Sequence, residues 1–367
     1  MDCGGAQRVM ADMANYWVER GWQVTLATWS SPDVQDFYPL SPKISRAWLH
    51  IDSGRGSVIA GLRGFVVRIM KLRRLLRRVK PDVVLSFIDV SNILTIFAAL
   101  GLRMRVVVSE RTHPGLNDTV GRPWKLLRQL CYARADQVVA QTQDAAAWIE
   151  QHCRTAVVVI PNSLRALPAV VSQREPLIIA VGRLSKEKGL DVLLEAFARA
   201  RPRFPEWRLC IIGDGPERRA LVEQVGKLDL RDRVEFAGQV RDVEYWMARA
   251  ALMVHASRRE GFPNAVLEGM GMGVAVICAD CRSGPAELIT DGVNGRLVPV
   301  DDVAALALAI SQLMADAQLR ERLGAEATKV RQLYAHTALM KKWETWIVPL
   351  PAHEPNKAAT RTNPVSR

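Results

Sequence analysis

Short apolar runs of strand length alternate along the chain with longer segments whose apolar residues recur every three or four positions. Val9, Met10, Met13, Ala14 and Trp17 mark a first helix ended by Gly21, and residues 23–28 follow as a strand. Leu62, Phe65, Val66, Ile69, Leu72, Leu76 and Val79 mark a long helix over 62–80. Strands at 83–87, 105–109, 137–142 and 157–160 are then separated by helices at 93–100, 124–133 and 143–151. After a stretch with Pro168 and Pro176 the pattern restarts, with strands at 177–184, 208–212, 234–240, 251–256 and 274–278 and late helices at 303–314, 319–330 and 337–348. Strands that alternate with helices predict the α/β class, with parallel sheets wound on both faces. The pattern divides the chain into a first domain (1–165), a linker (166–176), a second domain (177–335), a last helix (336–348) and a polar, Pro-containing tail (349–367) expected to be disordered.

Residues 258–273, Arg-Arg-Glu-Gly-Phe-Pro-Asn-Ala-Val-Leu-Glu-Gly-Met-Gly-Met-Gly, lie between two of these strands and form a strand, loop, helix, strand unit. Gly261 opens the loop, Pro263 fixes the approach and Asn264 is placed to cap the helix, whose free N–H groups suit a phosphate or diphosphate. Glu260 on the loop and Glu268 one turn inside the helix can reach one ligand from two sides. A carboxylate accepts both hydroxyl hydrogens of a cis-diol, so either suits a ribose.

The spacing Glu-x7-Glu with Gly-Phe-Pro inside it resembles the acidic motif of the retaining, nucleotide-sugar-dependent glycosyltransferases of family 4, which have the GT-B fold: two Rossmann-like domains facing a cleft. The resemblance runs from about Gly4 to Ile347. It implies that Glu260 lies by the donor sugar and Glu268 at the nucleotide ribose, with the amides of Gly261, Phe262, Pro263-Asn264 and the helix start at the diphosphate. It also implies donor contacts for Gly4 and Gly5 before the first helix, for Arg183 and Lys188 in Gly-Arg-Leu and Lys-Gly, and for Gly213, and a last helix that returns to the first domain. Arg183 and Lys188 flank one strand-to-helix loop, where two cations can neutralise a leaving diphosphate. With Glu260 they are the expected catalytic residues. No Asp-x-Asp stands at a strand end, and no metal or other cofactor is expected.

Polar groups past the strand at 105–109 sit where open α/β sheets bind ligands, which makes Glu110, Arg111 and His113 the candidate acceptor side. Ser-Glu-Arg with a nearby Pro resembles a subgroup that adds sugars to lipid-linked or polysaccharide acceptors. Many family members carry His at the strand end, where this chain has Glu110 and Arg111.

Net charge is +12, and residues 1–165 hold 22 Lys+Arg against 13 Asp+Glu, so the first half carries most of it. Eight cations with no acid among them fall in the helix over 62–80, including Arg73, Arg74, Arg77 and Arg78. The helix reads as core-packed on one side and suited to anionic lipid on the other. The expected partners are a nucleotide-sugar donor, UDP-linked, a glycan or lipid-linked acceptor and an anionic membrane surface, with no nucleic acid. No apolar run reaches the roughly 18 residues of a membrane span and the start lacks the layout of a signal peptide, so the expected location is the cytoplasm, peripheral on the inner face of the cell membrane. The six cysteines are scattered, and they read as free thiols, including Cys278 and Cys281 in a Cys-x-x-Cys. The family's first strand, before Gly4-Gly5, is missing from the sequence, and a functional form is expected to begin roughly 10–15 residues upstream. Two other readings fit parts of the pattern: a nucleotide-sugar epimerase or phosphorylase on the same fold, and a non-catalytic membrane-surface protein.

Overall fold

The structure, a computed structural model, describes residues 4–33, 36–50, 58–116, 121–171 and 173–348. The expectations for residues 1–3 and for the tail at 349–367 lie outside the described residues. In the first domain the order is α1 (Gly5–Glu19), β1 (Thr25–Thr28), β2 (Ser45–Trp48), α2 (Val58–Val79), β3 (Val83–Phe87), α3 (Asp89–Ala99), β4 (Arg105–Ser109), α4 (Arg122–Cys131), β5 (Gln137–Ala140), α5 (Gln143–Cys153) and β6 (Val157–Val159). The second runs β7 (Glu175–Val181), α6 (Leu190–Ala200), β8 (Arg208–Ile212), α7 (Arg218–Lys227), β9 (Val234–Gly238), α8 (Val243–Arg249), β10 (Ala250–His255), α9 (Asn264–Gly271), β11 (Ala275–Ala279), α10 (Pro285–Leu288) and β12 (Arg296–Val298). The helices α11 (Val303–Ala315), α12 (Ala317–Ala327), α13 (Val330–Leu333) and α14 (His336–Ile347) close the chain.

The second domain is one parallel sheet in the order β12-β11-β10-β7-β8-β9. Its strands are apolar almost throughout because both faces are covered. Leu193, Phe197, Ile310 and Leu313 fill one side, and Val266, Leu267, Met270 and Met247 the other. The chain leaves β7 toward β8 on one side and later returns to place β10 on the other, which opens a crevice at the C-terminal ends of β7 and β10.

The first domain holds the parallel sheet β3-β4-β5-β6 and, apart from it, the parallel pair β1-β2. Among the described residues, one edge of β1 and one edge of β3 have no strand partner. Four helices cover one face of the larger sheet, with Leu72, Leu76, Ile93, Ile96 and Ile149 inside. On the other face Trp17 of α1 packs with Leu339, Met340, Trp343 and Ile347 of α14 against Phe87, Val107 and Val139. The last helix therefore returns to the first domain.

Some expected local features differ. The strand β2 has no alternating apolar pattern to announce it, since Ala47 is its one buried residue. The segment between the domains is strapped down: Arg174 donates to the carbonyls of Met247 (2.9 Å), Ala250 (2.9 Å) and Met272 (2.6 Å), and Arg331 to Pro168 (2.6 Å). The five described cysteines are free and buried, and burial pushes the Cys281 thiol up to about 12, which makes it a poor nucleophile. Among the described residues no helix is long and apolar enough to cross a membrane.

Candidate active site

The crevice between β7 and β10 receives two loops, 182–189 after β7 and 256–263 after β10. Each carries one half of a charge pair. Lys188 Nζ donates to Glu260 Oε1 at 2.6 Å, and His255 Nε2, at the end of β10, lies 2.7 Å from the same oxygen. Ser257 Oγ stands 3.0 Å from that imidazole nitrogen. Arg258 ties the loops together through a two-pronged bond to Asp191 (2.9 and 2.7 Å), a bond to Asp301 (2.7 Å) and one to the Lys186 carbonyl (2.6 Å). Gly189 lets them approach. Its φ is +58°, and a Cβ there would stand 2.1 Å from the Ala256 carbonyl oxygen.

Burial alone would raise the Glu260 pKa, but the charges of Lys188 and His255 outweigh it and hold the carboxyl well below the usual range. Glu260 is thus a fixed anion at neutral pH and unsuited to general-acid work. It can orient Lys188 and stabilise positive charge that grows on a sugar. Arg183 is exposed on the same loop as Lys188. Gly213 packs into the loop base, where its N–H donates to the Gly238 carbonyl at 2.8 Å.

Asn264 does not cap α9 with its side chain. Pro263 is the N-cap, no side chain accepts from the first turn, and that turn contains no acid. The Asn264 amide oxygen instead accepts from Asn162 Nδ2 at 2.6 Å across the domains. The positive end of α9 is therefore left uncapped by side chains. Gly4 and Gly5 open α1, which also lacks a side-chain cap and an acid in its first turn. The two helix starts meet: a Cβ on Gly5 would stand 3.2 Å from Asn264 Nδ2. Gly261 is pressed against the first domain, where a Cβ would lie 2.4 Å from the Arg111 carbonyl oxygen. Phe262 is buried in the second-domain core. Glu268 faces the cleft from α9 and is ion-paired with Arg8 of α1. Burial raises its pKa, against the pull of Arg8.

The acceptor-side expectation needs correction at Glu110. Its side chain turns into the first-domain core, 1% exposed, where it accepts from Tyr132 Oη at 2.6 Å and pairs with Arg128 at 3.4 Å. The sequence shows a polar residue after a strand, but not which way it turns. Arg111 is buried too, bonded to Asn162 with its guanidinium 4.5 Å from the Phe87 ring centre, so Arg111, Asn162 and Asn264 form a relay between the domains. His113 accepts from the Gly115 N–H at Nδ1 (3.1 Å), which leaves the proton on Nε2, 3.1 Å from Asp144. Burial lowers its pKa, opposed by Asp144.

On α2, Arg74, Arg77 and Arg78 are exposed. Arg73 is engaged otherwise, donating to the Ala98 and Leu100 carbonyls (2.7 Å each) at the end of α3. His255, Ser257, Arg258, Asn162 and Arg8 were missed from sequence. His255 could have been found, as a strand-end His five residues before Glu260, whereas nothing local links Arg8 to Glu268.

Two family models match, one per domain: Glycosyltransferase Family 4 over residues 3–165 and Glycosyl transferases group 1 over residues 168–330. The chain belongs to glycosyltransferase family 4. This family 4 enzyme is 32% identical over 308 residues to the exopolysaccharide phosphotransferase SCO2592 of Streptomyces coelicolor, in an alignment that takes 81% of this chain and 32% of that one. The chain thus spans about a third of that relative's length. It is 25% identical over 352 residues, 94% of each chain, to a Campylobacter jejuni alpha-1,4-N-acetyl-D-galactosaminyltransferase named for a PP-undecaprenol-linked glycan. The solved structure of Anabaena Alr3699/HepE in complex with UDP and glucose matches with a TM-score of 0.75 at 19% identity, covering 93% of this chain and 95% of that one. The fold of the family 4 glycosyltransferase is thereby GT-B.

Proposed function

We propose that this glycosyltransferase is a retaining enzyme that moves a sugar from a UDP-linked donor to a lipid-linked or polysaccharide acceptor, without a metal ion, on the inner face of an anionic membrane. The observation that carries the donor reading is the Lys188–Glu260–His255 cluster at the uncapped start of α9, with Glu268 on the same helix. The diphosphate lies at the N-termini of α9 and α1, neutralised by Lys188 and Arg183, while Glu268 accepts from the ribose diol and Glu260 sits by the sugar. The bond from the anomeric carbon to the diphosphate breaks, and its electron pair leaves with the diphosphate. The acceptor oxygen bonds to the same face, and its proton passes to the departing phosphate oxygen. UDP in the Anabaena structure supports the nucleotide, and the undecaprenol-linked glycan named for the Campylobacter relative supports the acceptor class.

The test is acceptor-dependent release of nucleotide from a panel of UDP-, GDP- and ADP-sugars, with undecaprenyl diphosphate-linked glycans as acceptors. An axial donor should give an axial product, and inverted product would refute retention. Activity should persist in excess EDTA, so loss of turnover restored by Mg²⁺ or Mn²⁺ counts against metal independence.

The membrane reading has its own support. Beside the exposed arginines of α2 lie the exposed apolar Val66 and Met70, and the edge-on contact of Phe65 with Trp124, 5.6 Å between ring centres, joins α2 to α4, whose Leu126 and Leu130 are also exposed. Cations beside apolar side chains fit a lipid surface. Changing Arg74, Arg77 and Arg78 to Glu should reduce flotation with anionic vesicles, and salt should weaken wild-type binding. Equal recovery of the triple variant sinks the idea.

A further inference from the structure

The ion pair between Arg8 and Glu268 joins residues on opposite domains, and both side chains are mostly enclosed, 21% and 11% exposed. It lines a small cavity with Asp12, Ser163, Arg165 and Asn264. Arg8 stands one helical turn behind Gly4, the N-cap of α1, whose start meets the start of α9. Neither helix has an acid in its first turn. The counter-charge of Glu268 therefore sits beside the place where two positive helix ends converge.

We propose that Arg8 is a donor-recognition residue that exchanges partners: it neutralises Glu268 while the cleft is without donor, and moves to the diphosphate when the ribose diol takes Glu268. This rests on Glu268 as the ribose carboxylate. A buried carboxylate stripped of its cation is costly, and so is a buried guanidinium left without an anion. A nucleoside diphosphate meets both needs, since its hydroxyls donate to Glu268 and its phosphates receive Arg8 through a two-pronged contact. A nucleoside breaks the ion pair and offers Arg8 nothing. The exchange makes the site favour the diphosphate over the nucleoside, and it couples donor binding to a contact between the domains. Asp12 and Arg165 face the same cavity, and Arg165 is paired with Glu244 at 2.9 Å.

The experiment is calorimetric titration of the full chain with uridine and with UDP, for wild type, Arg8→Gln, Glu268→Gln and the double variant. Arg8→Gln should bind UDP about tenfold or more weakly, the scale of one charge-assisted contact, while binding uridine at least as tightly as wild type. Glu268→Gln should weaken uridine. The double variant removes both charges from the buried pair and so guards against misfolding, with its preference for UDP over uridine as low as that of Arg8→Gln. Equal losses for uridine and UDP in Arg8→Gln, an unchanged UDP affinity, or a wild-type preference in the double variant would overturn the exchange and leave the ribose assignment standing. Unchanged uridine affinity in Glu268→Gln would overturn the ribose assignment, and the exchange with it.

Discussion

Glu260→Gln or Lys188→Ala lowers turnover at saturating donor about a hundredfold or more, the scale lost with one preorganised electrostatic partner. Lys188 Nζ and His255 Nε2 converge on one oxygen of Glu260, and that carboxylate is 9% exposed, so solvent does little to screen the charges. A glutamine keeps the shape but loses the negative charge. Lys188 then has no anion to hold it in line with the leaving diphosphate, and positive charge on the sugar loses its neighbour. Lys188→Ala has the converse effect and leaves Glu260 buried beside His255 alone. The loss should appear in kcat more than in donor KM, because the charge matters most as the bond breaks. Rates near wild type in both variants, measured by nucleotide release with saturating donor, would sink the assignment.

Arg128→Leu destabilises the first domain by about 3–5 kcal/mol, the cost of breaking a buried ion pair from one side. Arg128 lies in the last turn of α4, 1% exposed, and its guanidinium lies 3.4 Å from Glu110, 3.9 Å from Asp89 and 3.2 Å from the Pro114 carbonyl oxygen. Two buried carboxylates share this one cation. Burial, with only partial relief from Arg128 and Tyr132, pushes the Glu110 pKa from 4.5 up to about 7. Because the folded value lies above the unfolded one, the protonated form is favoured by folding. Its contribution is fully present below the unfolded pKa and is lost as pH rises through about 7. Urea melts at about pH 5 and about pH 8 should show the wild type losing more stability at the higher pH than the Glu110→Gln variant does, the difference between the two being the share that Glu110 contributes. An unchanged urea midpoint in Arg128→Leu counts against the network, as does a pH dependence as large in Glu110→Gln as in the wild type.

The local patterns that proved readable were those in which a physical requirement spans only a few residues. Apolar runs such as Ile178–Ile179 and Val276–Ile277 are strands because both faces of a parallel sheet are buried. The 3.6-residue period of α2 survived eight cations. The placement of β2 was invisible, because a four-residue strand with one buried side chain carries no period. Asn264 shows the limit at short range: its residue type suits a cap, but a hydrogen-bond partner 102 residues away claims the side chain.

By itself, the sequence determined the α/β class, the division into two domains, and the Glu260–Glu268 and Gly-Arg-Leu to Lys-Gly patterns whose resemblance pointed to the family. These depend on spacing along one strand-loop-helix unit, so a local reading reaches them. Tertiary structure alone decided that Glu110 turns into the core while Glu260 faces the crevice, that Arg73 closes the end of α3, and that Arg8 meets Glu268 across 260 residues of chain. Each of these turns on which charge finds a partner once water is excluded. That depends on which strands become neighbours at the switch point and how the two domains meet, and neither is written in any short stretch of residues.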